Sequence, residues 1–465
     1  MCGVVGGRGE PSDVALAALE HRGPDAGATW RGKRYWLGHR RLAIIDTSSA
    51  SEQPFRRGRV VLSYNGELWN YEALRRRLVA QGETFRTTGD TEVVAAMLDV
   101  YGPGALLDLE GMFGLAWTDD EGETLRVARD RFGEVPLHAY VGRDRFAVAS
   151  ELKALLALGL PASGYRWVGP GEVWHVSPEH VDVRRWYQPK NGARLDVDAA
   201  TARERVLEGV RAGSLERTIS DVPVCVLLSG GVDSSAVAAH VVRQMPGLVA
   251  YVAVMDAKGP DVRAAREVAE RLGVELREVR VDAPTADDLA GVVRAIEMPH
   301  KAQVEIAWAC DALARAMRAD GFKVTFSGEG SDELWASYGM SFHGIKKSGW
   351  YDYRRDLFLG QHRKNFARCN KVFMRHGVEC RLPFLNTELV ETALALAPEV
   401  VREKGRPKAA LQDAHSHLLP ERVVRRPKLA FQDGMGLQEA CAGAVHDPTG
   451  FYRAVFKTDF RGAEP

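Results

Sequence analysis

The sequence predicts two parts: an α+β N-terminal domain of antiparallel sheets sandwiched by helices, then an α/β domain with a doubly wound parallel sheet and a helical C-terminal part. Three observations carry this. Residues 1–155 alternate short apolar runs with turn signals and few helices. From about residue 200, apolar runs alternate with helical patterns. From about residue 340 the helical pattern dominates. At 465 residues the chain is long enough for two domains, divided at 1–195 and 196–465.

In the first part, strands are predicted at Gly3–Val5, Arg41–Ile45, Val60–Tyr64, Gly114–Thr118, Leu125–Arg129 and Arg145–Ser150. Helices are expected at Asp13–Glu20, Tyr71–Ala80 and, capped by Asp90, Thr91–Tyr101. Residues 156–200, with Gly169-Pro170-Gly171 and a polar stretch from Gln188 to Arg194, read as a linker region. In the second part, strands are predicted at Val222–Leu228, Leu248–Val254, Val274–Val279 and Phe322–Phe326. The helices Ala200–Ala212, Ser235–Gln244 and Asp261–Leu272 lie around and between them, the last stopped by Gly273.

Lys+Arg and Asp+Glu are both 62, so no net field draws the chain to nucleic acid or a membrane surface. Arg75-Arg76-Arg77 reads as a solvated helix face. No apolar run reaches the roughly 20 residues of a membrane helix, and no secretory signal is visible. The six cysteines form no CxxC pair, which speaks against zinc and a disulfide framework. A cytoplasmic protein is expected, with no nucleic-acid or membrane partner.

The strongest signal is Ser229-Gly230-Gly231-Val232-Asp233-Ser234-Ser235, between an apolar strand and a helix. Such a loop sits at the carboxyl end of a sheet strand, where open α/β sheets bind ligands. Two glycines admit an anion to the backbone, serines add donors, and the helix N-terminus favours negative charge. Asp233 fits a phosphate cradle only if a metal bridges it to the phosphates. The ending Gly-Lys-Ser/Thr of a Walker loop is absent; the loop resembles the pyrophosphate-binding loop of ATP pyrophosphatases. A second string, Ser327-Gly328-Glu329-Gly330-Ser331-Asp332-Glu333, follows another predicted strand. Asp332 and Asp233 are therefore expected to share one magnesium ion, with ATP as the second cofactor. Late in the chain, Arg425-Arg426-Pro427-Lys428 offers a lysine to offset charge on a leaving pyrophosphate.

The N-terminal part carries different chemistry. Once Met1 is trimmed, Cys2 presents a thiol beside its own α-amine, whose ordinary pKa is about 8. After it come His21-Arg22-Gly23-Pro24-Asp25, Leu37-Gly38-His39-Arg40-Arg41-Leu42, Asn65-Gly66-Glu67-Leu68-Trp69-Asn70 and Thr88-Gly89-Asp90-Thr91-Glu92. Asn65 and the Gly66 N–H offer two donors to an oxyanion. Arg41 can hold a carboxylate in a fork, while Glu67 and Asp90 can hold an ammonium group. Together these read a free amino acid, glutamine foremost.

With Ala128-Arg129-Asp130-Arg131-Phe132-Gly133, Ala149-Ser150-Glu151-Leu152-Lys153 and Gly377-Val378-Glu379-Cys380-Arg381-Leu382-Pro383-Phe384-Leu385 added, the chain resembles class II glutamine amidotransferases of the asparagine synthetase family along nearly its whole length. The resemblance implies an Ntn-hydrolase-like first domain in which Cys2 attacks glutamine. It implies ammonia tunnelling to a site where ATP has turned an acceptor carboxylate into an acyl adenylate. It adds Glu329 and Lys428 to the catalytic set. The ATP-binding set becomes Leu228 and Val254, for adenine, with Ser229, Gly230, Gly231, Asp233, Ser234, Ser235, Ser327, Gly328 and Lys428.

Three departures bear on the acceptor. After Ile296-Glu297 the family's Thr-Thr-Ile-Arg-Ala-Ser stretch is missing, and Glu305 stands where its arginine is expected. Phe-Gly-Gly-Tyr has become Trp335-Ala336-Ser337-Tyr338, and Pro-Phe-Leu-Asp ends in Asn386. Glu305, Trp308 and Trp335 are therefore the expected acceptor-binding residues, for a carboxylic acid other than aspartate. The alternatives are an ordinary asparagine synthetase, an ATP-driven cyclase of the β-lactam synthetase kind, and a non-catalytic regulatory relative. The complete glutamine-reading set speaks against the cyclase, and the two whole phosphate loops against the regulator. A homodimer is left open.

Overall fold

The computed structural model describes residues 1–190, 194–403, 405–426, 435–460 and 463. Twelve strands build the first part: β1 Gly3–Arg8, β2 Ala26–Arg31, β3 Tyr35–Arg41, β4 Phe55–Arg57, β5 Val60–Leu68, β6 Gly111–Asp119, β7 Leu125–Arg129, β8 His138–Val141, β9 Phe146–Ala149, β10 Tyr165–Trp167, β11 Glu172–Val176 and β12 Val181–Arg185. They form two antiparallel sheets, β10-β8-β9-β1-β3-β2 and β12-β11-β7-β6-β5-β4. The sheets stack face to face: Val4, Leu37 and Val148 of one meet Val61, Ala116 and Val127 of the other in a single core. Alternation along each strand sends the next residues outward. Helices Asp13–Ala17 and Leu152–Ala157 cover the outer face of the first sheet, and Asp90–Tyr101, backed by Tyr71–Ala80, covers that of the second.

The expected linker is instead structure. β10, β11 and β12 fall inside residues 156–200 and complete the edges of both sheets. The strand expected at Arg41–Ile45 is displaced to β3. The apolar run from Leu42 to Ile45 is buried for another reason, since it lies at the seam with the second part: Ile44 C=O accepts from Asp221 N–H at 3.0 Å. Of the arginine run, Arg76 and Arg77 are exposed on the helix face as expected, and Arg75 is half-buried. Arg75 donates to Thr87 and Gly89 carbonyls, and Arg77 to Asp108.

The second part holds the parallel sheet β15-β14-β13-β16-β17, from β13 Val224–Leu227, β14 Val249–Val254, β15 Glu275–Arg280, β16 Val324–Phe326 and β17 Glu379–Arg381. From β13 the chain winds outward through β14 to β15, then crosses to β16 on the other side. The reversal falls between β13 and β16, the crevice where doubly wound sheets bind ligands. Both glycine-serine strings leave the sheet at this point. β17 was not foreseen; three residues are too few for a periodicity to register.

The two parts are joined by a buried polar seam. Glu297 caps the helix Leu152–Ala157 of the first part, accepting from the Leu152 and Lys153 N–H groups at 2.9 and 2.8 Å. Lys371 closes the pair, its Nζ 2.6 Å from Glu297 and 3.3 Å from His138 Nε2. Glu297 takes a left-handed φ of 56°, rare for a residue with a side chain. That turn ends the helix Ala286–Ile296 and aims the carboxylate across the seam.

Removing one partner of a buried pair leaves the other uncompensated, at a cost of about 3–5 kcal/mol. Glu297→Ala is expected to lose stability of that order in chemical denaturation. It should also free the seam to proteolysis between the two parts. An exposed-site value, below about 1 kcal/mol, would remove this role.

Candidate active centres

Cys2 lies just before β1, at the middle of the first sheet, and is 7% exposed. Its N–H donates to Asn65 Oδ1 at 2.6 Å, and its thiol faces the Leu42 carbonyl at 3.8 Å. Arg22 holds the Cys2 carbonyl at 2.9 Å, and reaches Glu151 at 2.7 Å and Asn370 of the second part at 2.9 Å. Burial pushes the Cys2 thiol up, opposed by the N-terminal ammonium beside it. That ammonium, still on Met1, pairs with Glu379.

Asn65, Gly66 and Glu67 come from β5 of the facing sheet. With Oδ1 turned to the Cys2 amide, Asn65 Nδ2 points to Ser150 Oγ at 3.3 Å. Gly66 is required by packing: a Cβ there would sit 2.2 Å from the Met112 carbonyl of β6. Arg41, at the end of β3, donates to the Asp46 and Ser48 carbonyls through its two terminal nitrogens. Each terminal nitrogen carries a second proton, so the fork for a carboxylate survives.

Asp90 was expected as a helix cap. It is the first residue of its helix, and it accepts from Tyr64 OH and Leu68 N–H, both at 3.0 Å. Glu67 Oε2 is buried without a hydrogen-bond partner in this structure. Burial and the neighbouring Glu379 and Asp90 carboxylates hold Glu67 well above the usual range. Arg381 stands 4.0 Å from Glu67 Oε2 as an ion-pair partner, and a buried acid short of hydrogen bonds beside a second acid fits a cationic ligand. The structure thus gathers Cys2, Asn65, Gly66, Glu67, Arg41 and Asp90 into one region.

The second centre lies at the crevice. Helix Val232–Gln244 begins earlier than expected, so Asp233 stands in its first turn rather than in the loop. Ser229 and Ser234 share a 2.9 Å hydrogen bond that closes the loop on itself. Gly230 has φ 73°, and a Cβ there would meet the Asp261 carbonyl at 2.4 Å. Ser235 donates to Gly231 C=O at 2.7 Å. The second string lies directly against the first: a Cβ on Gly328 would stand 2.7 Å from the Ser234 nitrogen, and Ser331 donates to Asp233 at 2.6 Å. Ser327 N–H is held by the Arg381 carbonyl of β17 at 3.0 Å. Glu329 pairs with Arg368.

Leu228 directly follows β13, and Val254 ends the adjacent β14. Leu228 N–H is given to Tyr251 C=O, and Val254 C=O accepts from Val281 N–H, both at 2.9 Å. Beside them lies a cavity of about 230 Å³ lined by Ala253, Met255, Asp261, Val262 and Met435 among others. Lys428 lies outside the described residues.

The sequence reading missed Lys408. From the N-cap of helix Ala409–Ala414 its ammonium reaches both Asp233 oxygens at 2.7 Å and Asp332 at 2.6 Å. No motif marks it, and its partners are distant in sequence. The two carboxylates thus converge on one cation position. Hard oxygen donors so placed, with phosphate oxygens and waters to complete the shell, fit magnesium.

The expected acceptor residues point to three different places. Trp335 is fully buried and packs in the core. Trp308 donates its indole N–H to Asp282 C=O at 3.0 Å. Glu305 is buried 3.4 Å from Lys301, and its charge is felt at Cys441 and Tyr452 of the C-terminal helices. On the same helix, Gln303 lies about 200° around from Glu305. It donates to Asn365 at 2.8 Å, which donates to Glu333 of the second string at 2.7 Å. Glu333 also accepts from Tyr338 at 2.5 Å, and burial lifts it to about 7.

Comparison with known proteins agrees with this two-centre arrangement. Residues 1–164 match the glutamine amidotransferase domain model, and residues 207–366 and 358–447 the asparagine synthase model. Asparagine synthetase B (glutamine-hydrolyzing) of Escherichia coli K12 is 30% identical over 92% of this chain and 81% of its own. Asparagine synthetase (glutamine-hydrolyzing) of Triphysaria versicolor is 31% identical over 90% and 74%. Asparagine synthetase (glutamine-hydrolyzing) 3 of Arabidopsis thaliana is 30% identical over 90% and 75%. In class this is a glutamine-hydrolysing, ATP-dependent carbon–nitrogen ligase. The chain belongs to the asparagine synthase family.

Burial lifts Asp90 to about 6, against the Tyr64 and Leu68 donors that hold it down, from an ordinary 3.8. With the folded value above the unfolded one, this group supports the fold at low pH and loses that support as pH rises through about 6. Asp90→Asn, which mimics the protonated form, is expected to gain stability relative to wild type as pH rises from about 4 to about 7. A melting-temperature difference that stays constant across that range would contradict it.

Proposed function

We propose that this enzyme adenylates a carboxylic acid other than aspartate and amidates it with ammonia released from glutamine at Cys2. The observation that carries the two-step chemistry is the convergence of Asp233 and Asp332, from the helix starts that follow the two loops at the switch point, on one cation position. In the first centre, the Cys2 thiolate adds to the side-chain amide of glutamine. Asn65 and the Gly66 N–H take the developing oxyanion. Ammonia leaves, and water then releases glutamate from the thioester. Arg41 holds the substrate carboxylate, and Glu67 and Asp90 its ammonium group.

In the second centre the loops Ser229–Ser235 and Ser327–Glu333 bind ATP. Magnesium held by Asp233 and Asp332 would neutralise the phosphate charge that grows as pyrophosphate leaves. The acceptor carboxylate takes the α-phosphoryl group, pyrophosphate departs, and ammonia displaces AMP from the acyl carbon. Lys408, with Lys428, supplies positive charge to the leaving pyrophosphate. Glu329, which pairs with Arg368, takes the proton that ammonia loses on attack in this reading. The division at 1–195 and 196–465 puts one centre in each domain.

The acceptor proposal rests on what stands in for the arginine that the resemblance calls for: Glu305 is turned toward the C-terminal helices, and the helix presents the neutral amide of Gln303 toward Glu333 instead. Arg368 and Lys408 are already paired with acids. An acceptor carrying a second carboxylate would therefore find these two cations already engaged. The relatives' names favour the other reading, aspartate as acceptor. The test supplies ATP, magnesium and glutamine with aspartate, and measures asparagine per pyrophosphate released. Little asparagine is expected; tightly coupled production at millimolar aspartate would restore the ordinary asparagine synthetase.

Cys2→Ala is expected to lower glutamine-driven synthesis by roughly 10³-fold or more while leaving ammonia-driven synthesis in place. AMP and pyrophosphate are the expected nucleotide products. Retained glutamine-driven activity would remove Cys2 as nucleophile, and ADP with phosphate would remove the adenylate.

A further inference from the structure

The cation standing between Asp233 and Asp332 is an amino-acid side chain. Lys408 Nζ is ringed by both Asp233 oxygens, one Asp332 oxygen and Ser331 Oγ, at 2.6 to 3.3 Å. Four oxygens share three ammonium protons, and the residue is 3% exposed. This is the oxygen-rich surrounding of a hard cation, filled by a lysine.

The lysine is held in register from below. Asp233 and His240 lie seven residues apart on one helix, and Lys408 and His415 seven residues apart on the other. His240 Nε2 and His415 Nε2 meet at 3.2 Å. His415 Nδ1 faces the Leu411 carbonyl at 2.9 Å and must donate to it, so its Nε2 accepts from His240. The two helices are thus joined by two rungs, one ionic and one neutral. The lower rung fixes the height at which Lys408 meets Asp233.

We propose that Lys408 is a built-in stand-in for magnesium: it occupies the metal position until nucleotide arrives, then yields it and turns to the phosphates. The inference rests on the assignment of Asp233 and Asp332 as metal ligands. Two buried carboxylates drawn to one point repel each other unless a cation lies between them. A free divalent ion would have to expel the lysine from these oxygens without bringing it a new anion. Metal arriving with ATP brings phosphate oxygens, which complete the metal's shell and give the ammonium a new partner. Metal binding then becomes conditional on nucleotide, and by reciprocity nucleotide binding on metal.

The test titrates Mn²⁺, followed by the electron paramagnetic resonance of the free ion, into the full-length protein with and without a non-hydrolysable ATP analogue. Wild type is expected to bind Mn²⁺ about tenfold or more weakly without the analogue than with it. Lys408→Met and Lys408→Gln should bind Mn²⁺ without nucleotide about tenfold or more tightly than wild type. Adding Asp233→Asn should abolish the gain. As a second readout, millimolar Mn²⁺ should raise the melting temperature of the Lys408 variants and leave nucleotide-free wild type unchanged. Wild type binding nucleotide-free Mn²⁺ as tightly as the variants would overturn the stand-in role. Mn²⁺ binding that ignores Asp233→Asn even with nucleotide would instead remove the metal assignment beneath it.

Discussion

Glu297 reaches from the second part of the chain into the first, and both of its oxygens are taken by the N–H groups that open the helix Leu152–Ala157. Lys371 neutralises it from behind. A helix N-terminus carries a partial positive charge, so the carboxylate is doubly favoured there. The consequence reaches both centres. That helix packs on β8 and β9 of the sheet that also carries Cys2, and Lys371 shares a helix with Arg368, the partner of Glu329. A two-centre enzyme that passes a small volatile intermediate needs a fixed span between its centres. This joint, buried and charge-balanced, fixes it with groups that gain little from moving apart.

The chemistry of each centre was largely legible in the sequence because it sits in contiguous strings. A glycine-serine loop after an apolar strand announces its own place in an α/β sheet. The reversal of strand order between β13 and β16 then brings two such loops together without further information. Likewise Asn65, Gly66 and Glu67 lie consecutively on one strand, so finding one finds all. Lys408 escaped because it belongs to no string and stands 175 residues from Asp233. Only the packing of two helices brings them together.

Misplaced elements have physical causes of the same kind. The run Leu42–Ile45 looked like a strand because it is apolar, but apolarity reports burial, and here burial is against the other half of the molecule. β12, an edge strand exposed from Val183 onward, was hidden between the two linker signals, Gly169-Pro170-Gly171 and the polar stretch from Gln188 to Arg194. On the helix Lys301–Ala319, sequence could rank Glu305 and Trp308 as unusual but could not say which face meets the phosphate loops. That face belongs to Gln303, whose amide links to Asn365 and from there to Glu333.

β17 is three residues long and touches both centres. Glu379 lies against the N-terminus and Cys2's neighbourhood, while the Arg381 carbonyl holds Ser327 at the head of the second phosphate loop. Leu382, just beyond it, donates to Glu134 of the first part. The halves are therefore not interchangeable modules, and one hydrophobic cluster runs through both. A chimaera joining this N-terminal half to a relative's C-terminal half would inherit a β17 fitted to another partner's cysteine pocket. Recombination between members of the family should accordingly succeed only where the segment around 379–382 travels with the first 150 residues, despite the more than two hundred positions that separate them.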